Sequence, residues 1–245
     1  FPDLKLFQNY GVDISDDIEI VKNYINVQKQ INLKDKSSVR FIKTHSGLSD
    51  INGHQFTNLN NSLGVIYIVR DPRSVVKSYA NHNQMSLDRA SDRMLEFGAT
   101  LGGIKNSKND ADRIFTYMNS WSSNYQSWKV FKKFDRYLLI KYEDMIKDKK
   151  NVFLSILEFI HKLSKSKFML DENKLKNLLE TTSFEYMKNL EKKKGFEESV
   201  KIKDSKKITF FKYGPKINKP ESLPAEIKKK LEISLKKEME ELGYL

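Results

Sequence analysis

Apolar residues along the chain follow two rhythms, a step of three to four residues and short unbroken runs. Residues 1–15 show little periodicity and carry turn residues at Pro2 and Gly11. Between 17 and 31, Ile18, Val21, Ile25 and Val27 recur at roughly helical spacing. Val39-Arg40-Phe41-Ile42-Lys43 then reads as a short strand, and Gly47 and Gly53 punctuate the loop after it. Residues 64–69, Gly-Val-Ile-Tyr-Ile-Val, suit a strand buried on both faces of a parallel sheet. Asp71-Pro72 follows it. Asp is a good N-cap and Pro is tolerated at the first helical position, so a helix carrying Val75, Val76 and Tyr79 starts here. A further helical run passes through Leu87, Met94 and Leu95, and Gly102-Gly103 with the polar residues 105–112 reads as a loop.

The strongest helical pattern covers 112–134. Ile114, Met118, Trp121, Tyr125 and Trp128 recur at alternating four- and three-residue steps and predict one buried face. Tyr137-Leu138-Leu139-Ile140-Lys141-Tyr142 is a third buried-strand candidate. Helices follow at 150–163, 171–180, 183–190 and 224–242. The last has Pro224 in its first turn and puts Ile227, Leu231, Leu235 and Met239 on one face. The Lys-rich segment 191–207 reads as an exposed, mobile loop. Strands alternating with helices of this length predict an α/β domain with a mainly parallel sheet. No repeat or clean boundary interrupts it, so residues 1–245 read as one domain.

Composition narrows the classes. Hydrophobic residues make up 39% of 245, with 15 Phe and 11 Tyr, which is enough to build a core and excludes global disorder. No run approaches the ~18 apolar residues of a membrane span, and no basic-then-apolar leader is visible, so the expected location is cytoplasmic. The absence of cysteine removes disulfides and thiolate metal sites. The four histidines include no i, i+4 pair, so a zinc site is not expected. The net charge of +12 fits an anionic partner such as a nucleotide, nucleic acid or acidic glycan. It fits a merely lysine-rich surface as well, and the lysine runs at 147–150, 192–194, 206–207 and 228–230 favour that reading.

In parallel sheets, binding sites form beyond the carboxyl ends of the strands. After the first strand candidate comes Lys43-Thr44-His45. A histidine there can take a proton from an acceptor hydroxyl, and Lys43 can stabilise charge on a transferred group. A surface lysine and a hydrogen-bonded loop histidine would look the same. After the second comes Arg70-Asp71-Pro72-Arg73, with Ser78 eight residues past Arg70. Both can bind one phosphate, or serve only a capped helix. The third ends in Tyr142-Glu143-Asp144-Met145, where the tyrosine either meets an adenine edge or joins the core.

In this order the stretches resemble the PAPS-dependent sulfotransferases, which move a sulfonate group from 3′-phosphoadenosine 5′-phosphosulfate to an acceptor. The family's strand-end Lys-Thr-His is similar to Phe41 through His45. Its 3′-phosphate signature is similar to Tyr67 through Ser78, and its tryptophans spaced by seven to Trp121 and Trp128. Its Tyr-Glu-Asp-Met is similar to Tyr142–Met145 and its Thr-Ser-Phe to Thr182-Ser183-Phe184. Its late apolar-basic-glycine segment resembles Phe210-Phe211-Lys212-Tyr213-Gly214 in part. Two features depart from the pattern. The family's opening strand and Pro-Lys-Ser-Gly-Thr-Thr-Trp-like loop, which cradles the 5′-phosphosulfate at a helix N-terminus, occur nowhere here. The chain is therefore expected to be N-terminally truncated, aggregation-prone and inactive by itself. Tyr213 also replaces a basic residue, and Gly214-Pro215-Lys216-Ile217-Asn218-Lys219 replaces the family's Gly-x-x-Gly-x-Trp.

The resemblance implies a P-loop-NTPase-like three-layer domain, a central parallel sheet flanked by helices. It implies in-line sulfonate transfer from PAPS, releasing 3′,5′-ADP, without a metal. His45 would be the general base, with Lys43 near the developing charge. Arg70, Ser78 and Lys212 would hold the 3′-phosphate, and Tyr142, Thr182 and Phe184 the adenine side. Phe211 and Gly214 belong to the covering segment. His45 and Arg70 are expected at the same edge of the sheet. The acceptor stays open among small molecules, glycans and lipids, and loops 46–62 and 83–112 are expected to select it. Two other readings stand: a P-loop-type kinase, and a non-catalytic basic module binding nucleic acid or acidic glycan. The second lacks interleaved basic-aromatic RNA motifs or a DNA-reading motif, so no nucleic-acid partner is expected.

Overall fold

Two parallel strands, Val65–Val69 and Tyr137–Lys141, pair in the sheet that organises the α/β fold. The Val65 N–H donates to the carbonyl of Arg136, the residue just before the second strand, at 2.8 Å. Both strands therefore start at one end and run parallel, which needs a long crossover between them. The computed structural model describes residues 4–34, 39–103, 114–196, 209–212, 214 and 220–245. The chain divides into two compact units. One comprises Phe1–Tyr67, Leu95–Leu139 and Phe159–Ser166; the other comprises Ile68–Met94, Ile140–Glu158 and Lys167–Leu245.

The core of the first unit is built on the helix Asp17–Lys34. Asp16 starts this helix by accepting from Ile18 N–H with its side chain (2.8 Å), and Asp17 and Glu19 complement the helix dipole in the first turn. Its buried face carries Ile20, Val21, Tyr24, Val27 and Ile31, packed with Phe7, Phe56, Trp128 and Phe131. Phe7, Tyr24, Phe56 and Trp128 meet edge-to-face in sequence, with centroids 5.1–6.1 Å apart. Gln28 sits on the same face because its amide is satisfied: it donates to the Phe56 carbonyl and accepts from Thr57 Oγ1, both at 2.6 Å. The Tyr24 hydroxyl donates to the Phe115 carbonyl, and burial raises its pKa. Phe7 comes from a helix, Leu4–Asn9, that the weak periodicity of the first fifteen residues does not predict.

In the second unit, the helix Pro72–Asn83 begins as its sequence predicts. The Asp71 side chain caps Arg73 N–H (2.9 Å) and Pro72 takes the first turn. The helix Leu87–Leu95 buries Ala90 and Met94. The predicted 224–242 helix is two, Ala225–Ser234 and Lys236–Glu241, broken at Leu235 (φ −114°, ψ 17°). Ile227, Leu231, Leu235 and Met239 are all buried, as the pattern requires. The helices Lys149–Ser164 and Glu172–Thr181 match their expected spans within a few residues, while Phe184–Lys194 carries residues 191–194, expected as loop, as its last turn.

Three expectations are corrected. Residues 39–43 join no strand ladder among the described residues, and Phe41 and Ile42 are 68% and 41% exposed. An apolar run becomes a strand only where a neighbour pairs with its backbone. The Val65–Val69 strand is not buried on both faces, since Ile68 is 58% exposed. The long helix over 112–134 is replaced by Thr116–Tyr117 paired with Thr100–Leu101, then a helix from Trp121 to Trp128 and a 3₁₀ helix, Lys129–Phe134. Asn119 in the left-handed region (φ 64°) and the Ser120 cap (Ser123 N–H, 3.1 Å) start the helix afresh. Part of each loop reading, 105–112 and 197–207, lies outside the described residues.

Candidate active site

The helix Trp121–Trp128 fastens the segment that carries His45. The Trp128 indole donates to the Ser46 carbonyl (3.0 Å), and Ser127 Oγ accepts from Leu48 N–H (2.9 Å). Asn124 Nδ2 donates to the carbonyl of His45 itself (3.1 Å). From the Thr116–Tyr117 strand, the Tyr117 carbonyl accepts from Gly47 N–H (2.9 Å) and from Ser46 Oγ (3.2 Å). Ser46 is consequently 2% exposed, while Lys43 and His45 before it are exposed. A fixed backbone with an open imidazole is what a proton acceptor needs if its partner arrives from solvent. The tryptophan stripe, readable from sequence as core, thus has a polar edge that serves the loop.

Arg70 and Tyr142 come together in the second unit. Each follows the last residue of a strand, so the parallel register carries both past the same end of the ladder. The Arg70 guanidinium lies over the Tyr142 ring, 4.3 Å from its centroid. A cation over a ring face is attracted without using its N–H donors, which remain suited to an oxyanion. Ser78 is half-buried on the helix Pro72–Asn83.

Thr182 and Ser183 form the junction between the helices Glu172–Thr181 and Phe184–Lys194. The Thr182 hydroxyl donates to the Leu178 carbonyl (2.6 Å), and Lys149 Nζ donates to the Thr182 carbonyl (2.8 Å). Burial lowers the Lys149 pKa. Ser183 caps the next helix through Tyr186 N–H (3.2 Å). Phe184 meets Phe211 edge-to-face (6.1 Å), and a Cβ at Gly214 would stand 3.3 Å from the Phe184 ring. The residues Phe184, Phe211 and Gly214, singled out separately in the sequence, are therefore neighbours. Glu191 ties them: its two carboxylate oxygens accept from Phe210 N–H (2.6 Å) and Phe211 N–H (3.0 Å). Nothing in the local sequence marks Glu191 for this, because its partners lie about twenty positions downstream. The Lys212 side chain and Tyr213 lie outside the described residues.

Glu143 and Arg73, flanking these motifs, have architectural partners. Glu143 accepts from Asp71 N–H (3.1 Å) and from the Tyr244 hydroxyl (2.9 Å), and burial with Glu143 nearby raises the Tyr244 pKa. Lys141 Nζ donates to the Leu242 carbonyl (2.7 Å). A cavity of about 700 Å³ lies between the same two helices, Glu172–Thr181 and Phe184–Lys194. Leu175, Leu179 and Ser183 of the Thr-Ser-Phe motif line it, whereas Thr182 and Phe184 on either side of Ser183 do not.

A profile of the sulfotransferase domain family matches residues 3–243. Luciferin sulfotransferase of Photinus pyralis is 28% identical over 172 residues, 68% of this chain and 39% of that protein. The crystal structure of mouse sulfotransferase SULT7A1 complexed with PAP aligns with 72% of this chain and 58% of its own, at 19% identity and a TM-score of 0.45. The matched region thus spans less than two thirds of either relative. No helix among the described residues is long and apolar enough to cross a membrane.

Proposed function

Because the chain belongs to the sulfotransferase domain family, we propose that it transfers a sulfonate group from PAPS to a hydroxyl or amine of an acceptor, with His45 as general base. The observation that carries this reading is the fastened His45–Leu48 segment, which leaves His45 exposed on a backbone held on two sides, with Lys43 exposed two residues before it. PAPS supplies a sulfonate on a phosphate leaving group. His45 takes the acceptor proton as the acceptor oxygen or nitrogen bonds to sulfur, the sulfur–phosphate oxygen bond breaks, and the electron pair leaves on 3′,5′-ADP. Lys43 offsets the negative charge that spreads during this exchange. Positioning and electrostatics do most of the work, as in phosphoryl transfer.

On the same reading, Arg70, Ser78 and Lys212 hold the 3′-phosphate. Tyr142, Thr182 and Phe184 hold the adenine side, with Phe211 and Gly214 covering it. The Arg70–Tyr142 contact and the Phe184–Phe211–Gly214 cluster support these roles, since each gathers residues that one nucleotide would need together. All 245 residues are read as one domain, and the family match over 3–243 supports that. We place the activity in the cytoplasm, on the resemblance to cytosolic-type enzymes.

The nucleotide assignment has a direct test. Charge-assisted bonds to phosphate contribute roughly 1.5–3 kcal/mol each, so Arg70→Ala should weaken 3′,5′-ADP binding by about 10–100-fold. Binding of 5′-AMP, which lacks the 3′-phosphate, should change little. Calorimetric titration of both nucleotides against both proteins decides it, and equal weakening of the two would remove Arg70 from the 3′-phosphate site.

A further inference from the structure

We infer that Asn124 is the positioning residue of the catalytic base. This rests on the reading of His45 as that base. The Asn124 side-chain amide joins the His45 and Met118 backbones to the Tyr67 side chain. Nδ2 donates to the His45 carbonyl (3.1 Å) and to the Met118 carbonyl (2.7 Å), and Oδ1 accepts from the Tyr67 hydroxyl (3.0 Å). Both amide hydrogens and an acceptor lone pair are thereby used. Tyr67 belongs to the parallel strand and is itself stiff. Its ring stacks on Tyr137 (6.2 Å, 21°) and packs against Tyr125 (5.7 Å), and burial raises its pKa. Met118 precedes the left-handed Asn119 that opens the helix. Asn124 therefore fixes the His45 backbone to the helix start through its two donors, while Tyr67 meets only the acceptor side of the amide. The ties from Trp128, Tyr117 and Ser127 hold Ser46, Gly47 and Leu48, whereas this one reaches His45 itself.

An exposed imidazole on a loosened loop samples many positions. A misplacement of about 1 Å can cost ~10²-fold in rate. The inference separates the donor side of the amide from its acceptor side. Asn124→Asp keeps the shape and the acceptor for Tyr67 but loses both donors, and sets carboxylate oxygen against two carbonyls. Tyr67→Phe removes the acceptor-side link and leaves the donation to His45 intact.

The test measures steady-state and single-turnover kinetics of the full-length protein and of its Asn124→Asp, Asn124→Ala, Tyr67→Phe and His45→Ala variants, with unfolding followed in parallel. Asn124→Asp and Asn124→Ala should each lower kcat about 10–100-fold, while KM for PAPS and the affinity for 3′,5′-ADP stay within about twofold of the parent. Tyr67→Phe should hold kcat within about threefold although it too lowers the unfolding temperature, so a general loss of stability does not imitate the effect. If His45→Ala is inactive while both Asn124 variants turn over at the parent rate, the positioning role is wrong and the base assignment stands. A kcat loss in Tyr67→Phe equal to that in Asn124→Asp also overturns it, as does a loss that vanishes when rates are normalised to folded protein. Parent-like turnover by His45→Ala overturns the base assignment, and the inference with it.

Discussion

His45→Ala in the full-length protein is expected to lower kcat by about 10²–10⁴-fold, the range for losing a positioned general base. The imidazole is exposed, and Asn124 holds the residue by its backbone carbonyl, which alanine retains. Surface substitutions of this kind usually change stability by no more than ~0.5 kcal/mol. The loss should therefore appear in the chemical step, with 3′,5′-ADP affinity and unfolding temperature close to those of the parent. PAPS turnover against a panel of phenols, alcohols and amines measures it. Near-parent turnover across that panel would move the role of base to another group.

Arg73→Ala should produce the largest loss of stability of any single substitution considered in this protein. The Arg73 guanidinium is 12% exposed and pairs with the Asp71 carboxylate through Nε (3.0 and 3.2 Å) and NH2 (2.7 Å). NH1 donates to Glu232 (2.6 Å) and NH2 to the Tyr244 carbonyl (2.8 Å). Hydrogen bonds to Asp71 and Glu232 hold its pKa high despite burial. Removing the cation leaves Asp71, which is also the helix cap, buried without its counter-charge. Breaking one partner from a buried pair costs roughly 3–5 kcal/mol, and the partial exposure of Glu232 argues for about 3. For a chain of this size that corresponds to a fall in Tm of about 6–12 °C. Lys150→Ala is the internal comparison, because the Lys150–Glu172 pair is 3.9 Å apart and mostly solvated. Its removal should cost at most a few tenths of a kcal/mol. Thermal unfolding of the two variants separates the cases, and a shift of less than about 2 °C for Arg73→Ala would show the network to be energetically idle.

Elements whose causes are local were the legible ones. Asp71-Pro72 starts a helix through atoms within three residues, and the four-residue spacing from Ile227 to Met239 survives a break at Leu235 because the same face stays inward. The 112–134 pattern misled because periodicity counts apolar residues without seeing the backbone. Ile114 and Met118 are half-buried from an extended stretch, and Asn119 turns the chain before the helix begins. Within Asp17–Lys34 the buried face lies partly elsewhere than hydrophobicity suggested. Ile18 is exposed, whereas polar Gln28 is buried because Phe56 and Thr57 satisfy it. Asn52-Gly53 is a local hairpin signal: both residues have positive φ and turn the hairpin that pairs Asp50 with Gln55.

The candidate site divides in the same way. Its residue types and order were visible, since each motif follows a strand or caps a helix. The supports were not visible, because they join distant positions. Asn124 reaches His45 across 79 residues, and Arg73 reaches Glu232 across 159 and Tyr244 across 171. No window of sequence contains both ends of such a bond.

The Trp128 indole bonded to the Ser46 carbonyl gives the protein an optical signal of its own. The chain has only two tryptophans, so in a Trp121→Phe background all its indole emission comes from a ring bonded to the residue next to His45. Buried and hydrogen-bonded to that carbonyl, Trp128 emits from a dry environment. Wherever the segment lifts, water reaches the ring and the emission moves to longer wavelength. The order of the loop that presents His45 can thus be followed in real time, in stopped-flow mixing with nucleotide or acceptor, without attaching a dye.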